Sequence, residues 1–128
     1  MKRITRVFTA AIAASALSAP PLLHAAINPA RTTYITFGSP VALPGASLAA
    51  GTYVFELASP TGDQTIVRVS SRDRARTYMT AFTRLVDRPA SLPAGQMIVF
   101  AETTPGQPAT VLAWYPDGDV TGRQFIYR

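Results

Sequence analysis

Apolar and polar residues alternate along much of this chain with a period of two. In residues 52–57, Tyr53, Phe55 and Leu57 fall on one side of an extended backbone, and Val54 and Glu56 on the other. That alternation predicts a strand with one buried face. Residues 32–37 are β-branched and aromatic, the composition that fits a pleated, half-buried surface, and are expected to form a first strand. Residues 41–43 are expected as a short second strand. Further strands are predicted over residues 65–69, 77–86, 97–100, 109–115 and 125–127. Residues 97–100 are apolar on both faces, which predicts a central strand covered on both sides.

Turn residues separate these segments. Ser59-Pro60-Thr61-Gly62-Asp63 is dense in them, and so is the loop from Asp87 to Gly95, with Pro89 and Pro93. Pro116-Asp117-Gly118-Asp119 suits a hairpin connection. Pro44-Gly45 has the φ preferences of a type II turn, whose twist is unfavourable for a tight two-residue hairpin. The expectation there is a corner that carries the chain across to another strand, with Gly51 as a second break. Seven to eight short strands at regular spacing and no internal helix predict an all-β fold, a single antiparallel β-sandwich of Ig-like or jelly-roll-like type. A small closed barrel is the other solution.

The N-terminus breaks this pattern. Lys2, Arg3 and Arg6 precede an uncharged apolar run, residues 7–19, and Leu22-Leu23-His24-Ala25-Ala26 ends in small residues. A positive head, a short apolar middle and a small-residue exit describe a secretory signal peptide, expected over residues 1–26 and helical. The apolar run is shorter than the ~20 residues a bilayer span requires. Residues 27–128 are then the folded domain, secreted or periplasmic and not membrane-spanning.

Removing the leader changes the charge. The whole chain is formally +5, with twelve Lys and Arg against seven Asp and Glu. Three of the twelve leave with the leader, so nine arginines face seven carboxylates and the domain is only about +2. The high isoelectric point therefore does not point to nucleic acid. Cysteine is absent, which removes disulfides, thiol catalysis and thiolate metal sites. The one histidine, His24, falls in the leader. A Ser-His-Asp triad and histidine metal centres then have no residues to build them, and no cofactor or metal is expected.

The stretch from Pro40 to Leu57, with Pro44-Gly45, Gly51-Thr52-Tyr53-Val54-Phe55 and Leu57, resembles a pattern in small secreted proteins of unknown function in Acidobacteria and related bacteria. The ending Trp114-Tyr115-Pro116-Asp117-Gly118 followed by Gly122 and Phe125-Ile126-Tyr127 is similar to theirs. The resemblance implies a small exported β-domain and carries no activity or site residues with it.

Few residues bear chemistry. Glu56 and Glu102 are the carboxylates a glycosidase pair would need, and both are expected on the solvent face of strands. Asp117 and Asp119 read as turn residues, since a calcium loop needs about six oxygen ligands. Tyr34, Tyr53, Tyr78, Trp114, Tyr115 and Tyr127 read as core or half-buried sheet residues before a sugar-stacking platform. Arg72, Arg74 and Arg76 recur at every second position, so an extended segment would line them on one face, while residues 70–74, with Asp73 between the arginines, also read as a polar, solvated turn. They are the candidate ligand-binding residues, for an anionic glycan or lipid headgroup. The leading expectation is a non-catalytic domain with a structural or interaction role at the bacterial envelope. Its partner would be an envelope protein or polysaccharide, engaged by edge-strand pairing.

Overall fold

The computed structural model describes residues 28–128, and the expected signal peptide lies outside the described residues. Those residues contain nine strands and no helix. In chain order they are β1 (Thr33–Phe37), β2 (Val41–Leu43), β3 (Ala46–Leu48), β4 (Gly51–Leu57), β5 (Ile66–Ser71), β6 (Thr77–Asp87), β7 (Ile98–Phe100), β8 (Ala109–Trp114) and β9 (Thr121–Phe125). They join into one hydrogen-bonded sheet in the order β1-β4-β5-β6-β9-β8-β2-β3, with β7 on the other side of β8. Every pairing is antiparallel except β2 with β8.

The eleven-residue β6 explains how one sheet surrounds one core. Its first half pairs with β5, from Ser70↔Thr77 to Ile66↔Phe82. Its second half pairs with β9, from Phe125↔Thr83 to Thr121↔Asp87. The sheet is thus handed from one side of the core to the other along a single strand. Phe55 of β4 then meets Trp114 of β8 and Phe125 of β9, with ring centroids 6.1 and 6.4 Å apart. Ile35, Phe37, Val67, Val69 and Val111 complete the same cluster. Each such side chain contributes about 1.5–3 kcal/mol by leaving water. Among the described residues, the Trp114 indole nitrogen is buried without a hydrogen-bond partner. That costs about 1–3 kcal/mol and offsets part of the gain from burying the ring.

Three local expectations are corrected. Pro44-Gly45 does close a tight hairpin: Leu43 pairs with Ala46, and Gly45 has φ 70°. Each arm has only three residues, so little mismatch of twist accumulates, and Val41, Leu43 and Leu48 are buried. Residues 97–100 are no central strand. β7 spans three of them, pairs only with β8, and its register shifts at a bulge between Val99 and Phe100. A four-residue apolar run is too short for periodicity to place it.

The last strand runs over Thr121–Phe125, earlier than residues 125–127. Gly122 reads as a turn residue, yet it lies mid-strand because the Tyr115 ring occupies the space beside it. A Cβ at Gly122 would stand 2.2 Å from Tyr115 Cδ1. Tyr127, beyond the strand, donates its hydroxyl to the carbonyls of Ala42 and Val111, joining β2 to β8.

Gly122→Ala is therefore expected to destabilise the domain by about 1–3 kcal/mol, as overpacking does. Gly38→Ala, where a Cβ meets nothing within 4 Å, should stay within about 0.5 kcal/mol of wild type. Urea unfolding of the two variants checks this.

Candidate functional site

Two features could carry function: a buried charge cluster on the outer face of β4, and the edge at which the sheet ends.

The cluster centres on Glu56. Strand alternation points it away from the core, yet only 3% of the residue is exposed, against the solvent-face expectation. The register places Arg68 of β5 opposite it, and Arg68 Nη2 donates to Oε2 at 3.3 Å. Thr32, just before β1, donates its hydroxyl to Oε1 at 3.0 Å. Arg74, from the β5–β6 turn, donates Nε to Oε2 and Nη2 to Oε1, both at 3.1 Å. This side-on fork is the strong form of a carboxylate–guanidinium pair. Burial by itself raises the Glu56 carboxyl. The hydrogen bonds from Arg74, Thr32 and Arg68, with the Arg74 charge, outweigh it and hold the pKa below its ordinary value.

The three candidate arginines do not form one patch. Residues 72–76 make a turn rather than an extended segment. Ser71 N donates to the Arg76 carbonyl, Ala75 N to Asp73 Oδ1, and Arg74 N to the Ser71 carbonyl. Arg74 is left-handed, with φ 60°, and points back along β4 to Glu56. Arg76 lies over the Tyr78 ring, 4.9 Å from its centroid. Arg72 is exposed beside Asp73. The turn expected at residues 70–74 is present, so the arginine alternation has no extended backbone on which to line one face.

A second charged group ties the sheet's start to the β8–β9 turn. Asp119 accepts from Arg31 Nε at 3.0 Å and from Arg123 Nη1 at 3.4 Å. Burial raises the Asp119 carboxyl, but Arg31, the Thr121 amide and the Arg123 charge leave it below its ordinary value. Arg123 is buried and also donates to the carbonyls of Gln64 and Thr121. A cleft of about 220 Å³ lies over this group, lined by Asn28, Arg31, Asp117 and Asp119 among others. Among the described residues, no three His, Cys, Asp or Glu side chains converge as a metal-binding group would require. Glu102 is exposed beyond β7.

The sheet's edge is formed by β1. It pairs with β4 on one side, from Thr33↔Phe55 to Phe37↔Gly51, and with no described strand on the other. Thr33, Ile35 and Phe37 face the core, while Tyr34 and Thr36 face out. Across the opening stands β7, also paired on one side only. Phe100 is in register with the core residue Val111 and packs on Phe37, with ring centroids 6.3 Å apart. It nonetheless stays 45% exposed. A core-facing aromatic so exposed marks the place where the sheet is open.

Comparison with protein-family models, with curated proteins and with solved structures finds no match to this chain.

The Glu56 cluster gives a pH dependence with a definite sign. A carboxyl whose pKa is lower folded than unfolded stabilises fully above the unfolded value, about 4.3. That contribution is lost as pH falls through the folded value. Glu56→Gln is expected to cost about 1–3 kcal/mol at neutral pH, discounted for the partial exposure of both arginines. The gap between variant and wild type should narrow in chemical unfolding as pH drops below about 4.

Proposed function

We propose that this protein is a non-catalytic, exported interaction domain of the bacterial envelope, which engages a partner polypeptide by accepting an extended segment along the free edge of β1. One observation carries the reading: β1 is an unguarded edge. Natural sheets blunt their edges with charge, proline, bulges or brevity. The five residues of β1, Thr-Tyr-Ile-Thr-Phe, contain no charge and no proline, and pair with β4 in unbroken register. The other strands with a single partner, β3 and β7, have three residues each, and β6, though also paired on one side at a time, has a strand partner along each half.

An added strand finds main-chain hydrogen-bonding groups along β1, and apolar surface at Phe37 and Phe100. This is the geometry of β-augmentation, in which main-chain bonds give affinity and alternate side chains give specificity. The two halves of the sheet act as the layers of a sandwich, and the partner extends one of them. Export rests on the three-part N-terminal pattern, and kinship with the small secreted proteins of Acidobacteria on the two motifs within the domain, Pro40–Leu57 and Trp114–Tyr127. Anionic-ligand binding by Arg72, Arg74 and Arg76 draws less support, because Glu56 occupies Arg74 and Tyr78 occupies Arg76. Catalysis by Glu56 draws little, because both its oxygens accept from arginine.

The test is capture from envelope extract with wild-type protein and two variants. Tyr34→Lys with Thr36→Lys places charge on the edge and should reduce recovery of bound polypeptide at least about tenfold, since an incoming strand must desolvate both ammonium groups. Thr61→Lys, an exposed position in the β4–β5 turn, should leave recovery unchanged. Equal recovery with both variants would refute the edge as the docking site.

A further inference from the structure

We infer that the β1 edge also accepts a second copy of this chain, by antiparallel pairing of β1 with β1 about a two-fold axis at Ile35. This rests on the edge reading above and names one partner of the same edge.

The argument is the self-complementarity of β1. Antiparallel pairing centred on Ile35 sets Thr33 opposite the partner's Phe37, Tyr34 opposite the partner's Thr36, and Ile35 opposite the partner's Ile35. The two-fold axis repeats the first two pairs. Every position then meets an aromatic–β-branched or Ile–Ile pair, the cross-strand combinations that stabilise antiparallel ladders. Thr33, Ile35 and Phe37 face the core, so their pairs extend the apolar face of the sheet. Tyr34 and Thr36 face out, so their pairs extend the solvent face. A one-residue slip would turn each strand's core-facing residues toward solvent.

The electrostatics permit the same arrangement. β1 carries no charge. Arg31, the nearest ionised residue before it, is held by Asp119, and Arg74, which reaches Tyr34 from the β5–β6 turn, is held by Glu56. Isologous contacts of this kind close at two copies. Each copy uses the same edge on both sides of the axis, so the assembly does not grow into a fibre. A five-residue strand pair falls below the roughly 1,200 Å² of a standard interface. The dimer is accordingly weak and concentration-dependent, and an envelope partner competes with it for the same edge.

Sedimentation equilibrium of the purified protein over a concentration series tests the pairing. Wild type should pass from monomer to dimer and stop there. Tyr34→Lys with Thr36→Lys sets lysine opposite lysine twice across the axis, and should raise the dissociation constant at least about tenfold. Tyr34→Lys with Thr36→Glu sets lysine opposite glutamate twice, and should restore association to within about threefold of wild type. Only antiparallel pairing in this register makes the second variant a rescue. A wild type that stays monomeric throughout the series would overturn the inference, and so would a Lys/Glu variant that associates as poorly as the Lys/Lys variant. Neither result touches the edge reading, which stands or falls on capture from envelope extract.

Discussion

Burial of β4 on both faces is the constraint on which the rest of this structure depends. Tyr53, Phe55 and Leu57 fill the core side. Val54 and Glu56 are equally hidden on the other, where a sheet in water would ordinarily be wet. A carboxylate can stay there only if its oxygens are satisfied, because an unpaired buried charge costs several kcal/mol. Arg68 comes from the neighbouring strand, Thr32 from the approach to β1, and Arg74 from the turn that joins β5 to β6. The turn must fold back for Arg74 to arrive, and a left-handed arginine is the conformational cost. The Glu56 cluster thereby fixes the position of the β5–β6 turn and the entry into β1.

With β4 held in this way, β1 becomes the strand that ends the sheet. On the far side of the core, β6 hands the sheet to β9 and β8, and β8 carries the short β7. The two sides of the opening meet where Phe37 packs on Phe100. Chain length limits closure: β7 has three residues, and its pairing with β8 ends at Ala101, whose amide goes to the Thr110 carbonyl. The molecule satisfies its core and leaves the outer edge of β1 without a partner strand among the described residues. An edge of this kind is a hazard unless something pairs with it. The proposed function and the β1–β1 pairing both follow from that single property.

Much of the fold was legible in the sequence. Alternation located β1, β4, β5, β6 and β8, because each has one face on a common core. The turn clusters at Ser59–Asp63 and Pro116–Asp119 were read correctly, since their residues act on their own backbone. What failed depended on contacts distant in sequence. Gly122 and Gln124 have poor strand propensity, and β9 forms because Tyr115 packs on the glycine while Phe125 enters the core. Pro44-Gly45 closes a hairpin because burial of Val41, Leu43 and Leu48 outweighs an unfavourable twist. Glu56 looked like a surface residue because its partners lie 12 to 24 positions away. The arginine alternation misled for the converse reason: local turn chemistry at Ser71 and Asp73 overrode a pattern meaningful only in a strand.

Backbone amide exchange followed by NMR tests the open edge most directly. In dilute protein, β4 amides should exchange only through global unfolding, since both neighbours of the strand are paired. Within Thr33–Phe37, amides that donate to β4 should share this protection, and the alternate ones should exchange orders of magnitude faster without unfolding. Uniform protection along β1, equal to that of β4 and independent of protein concentration, would mean that the edge is already covered and would contradict the account.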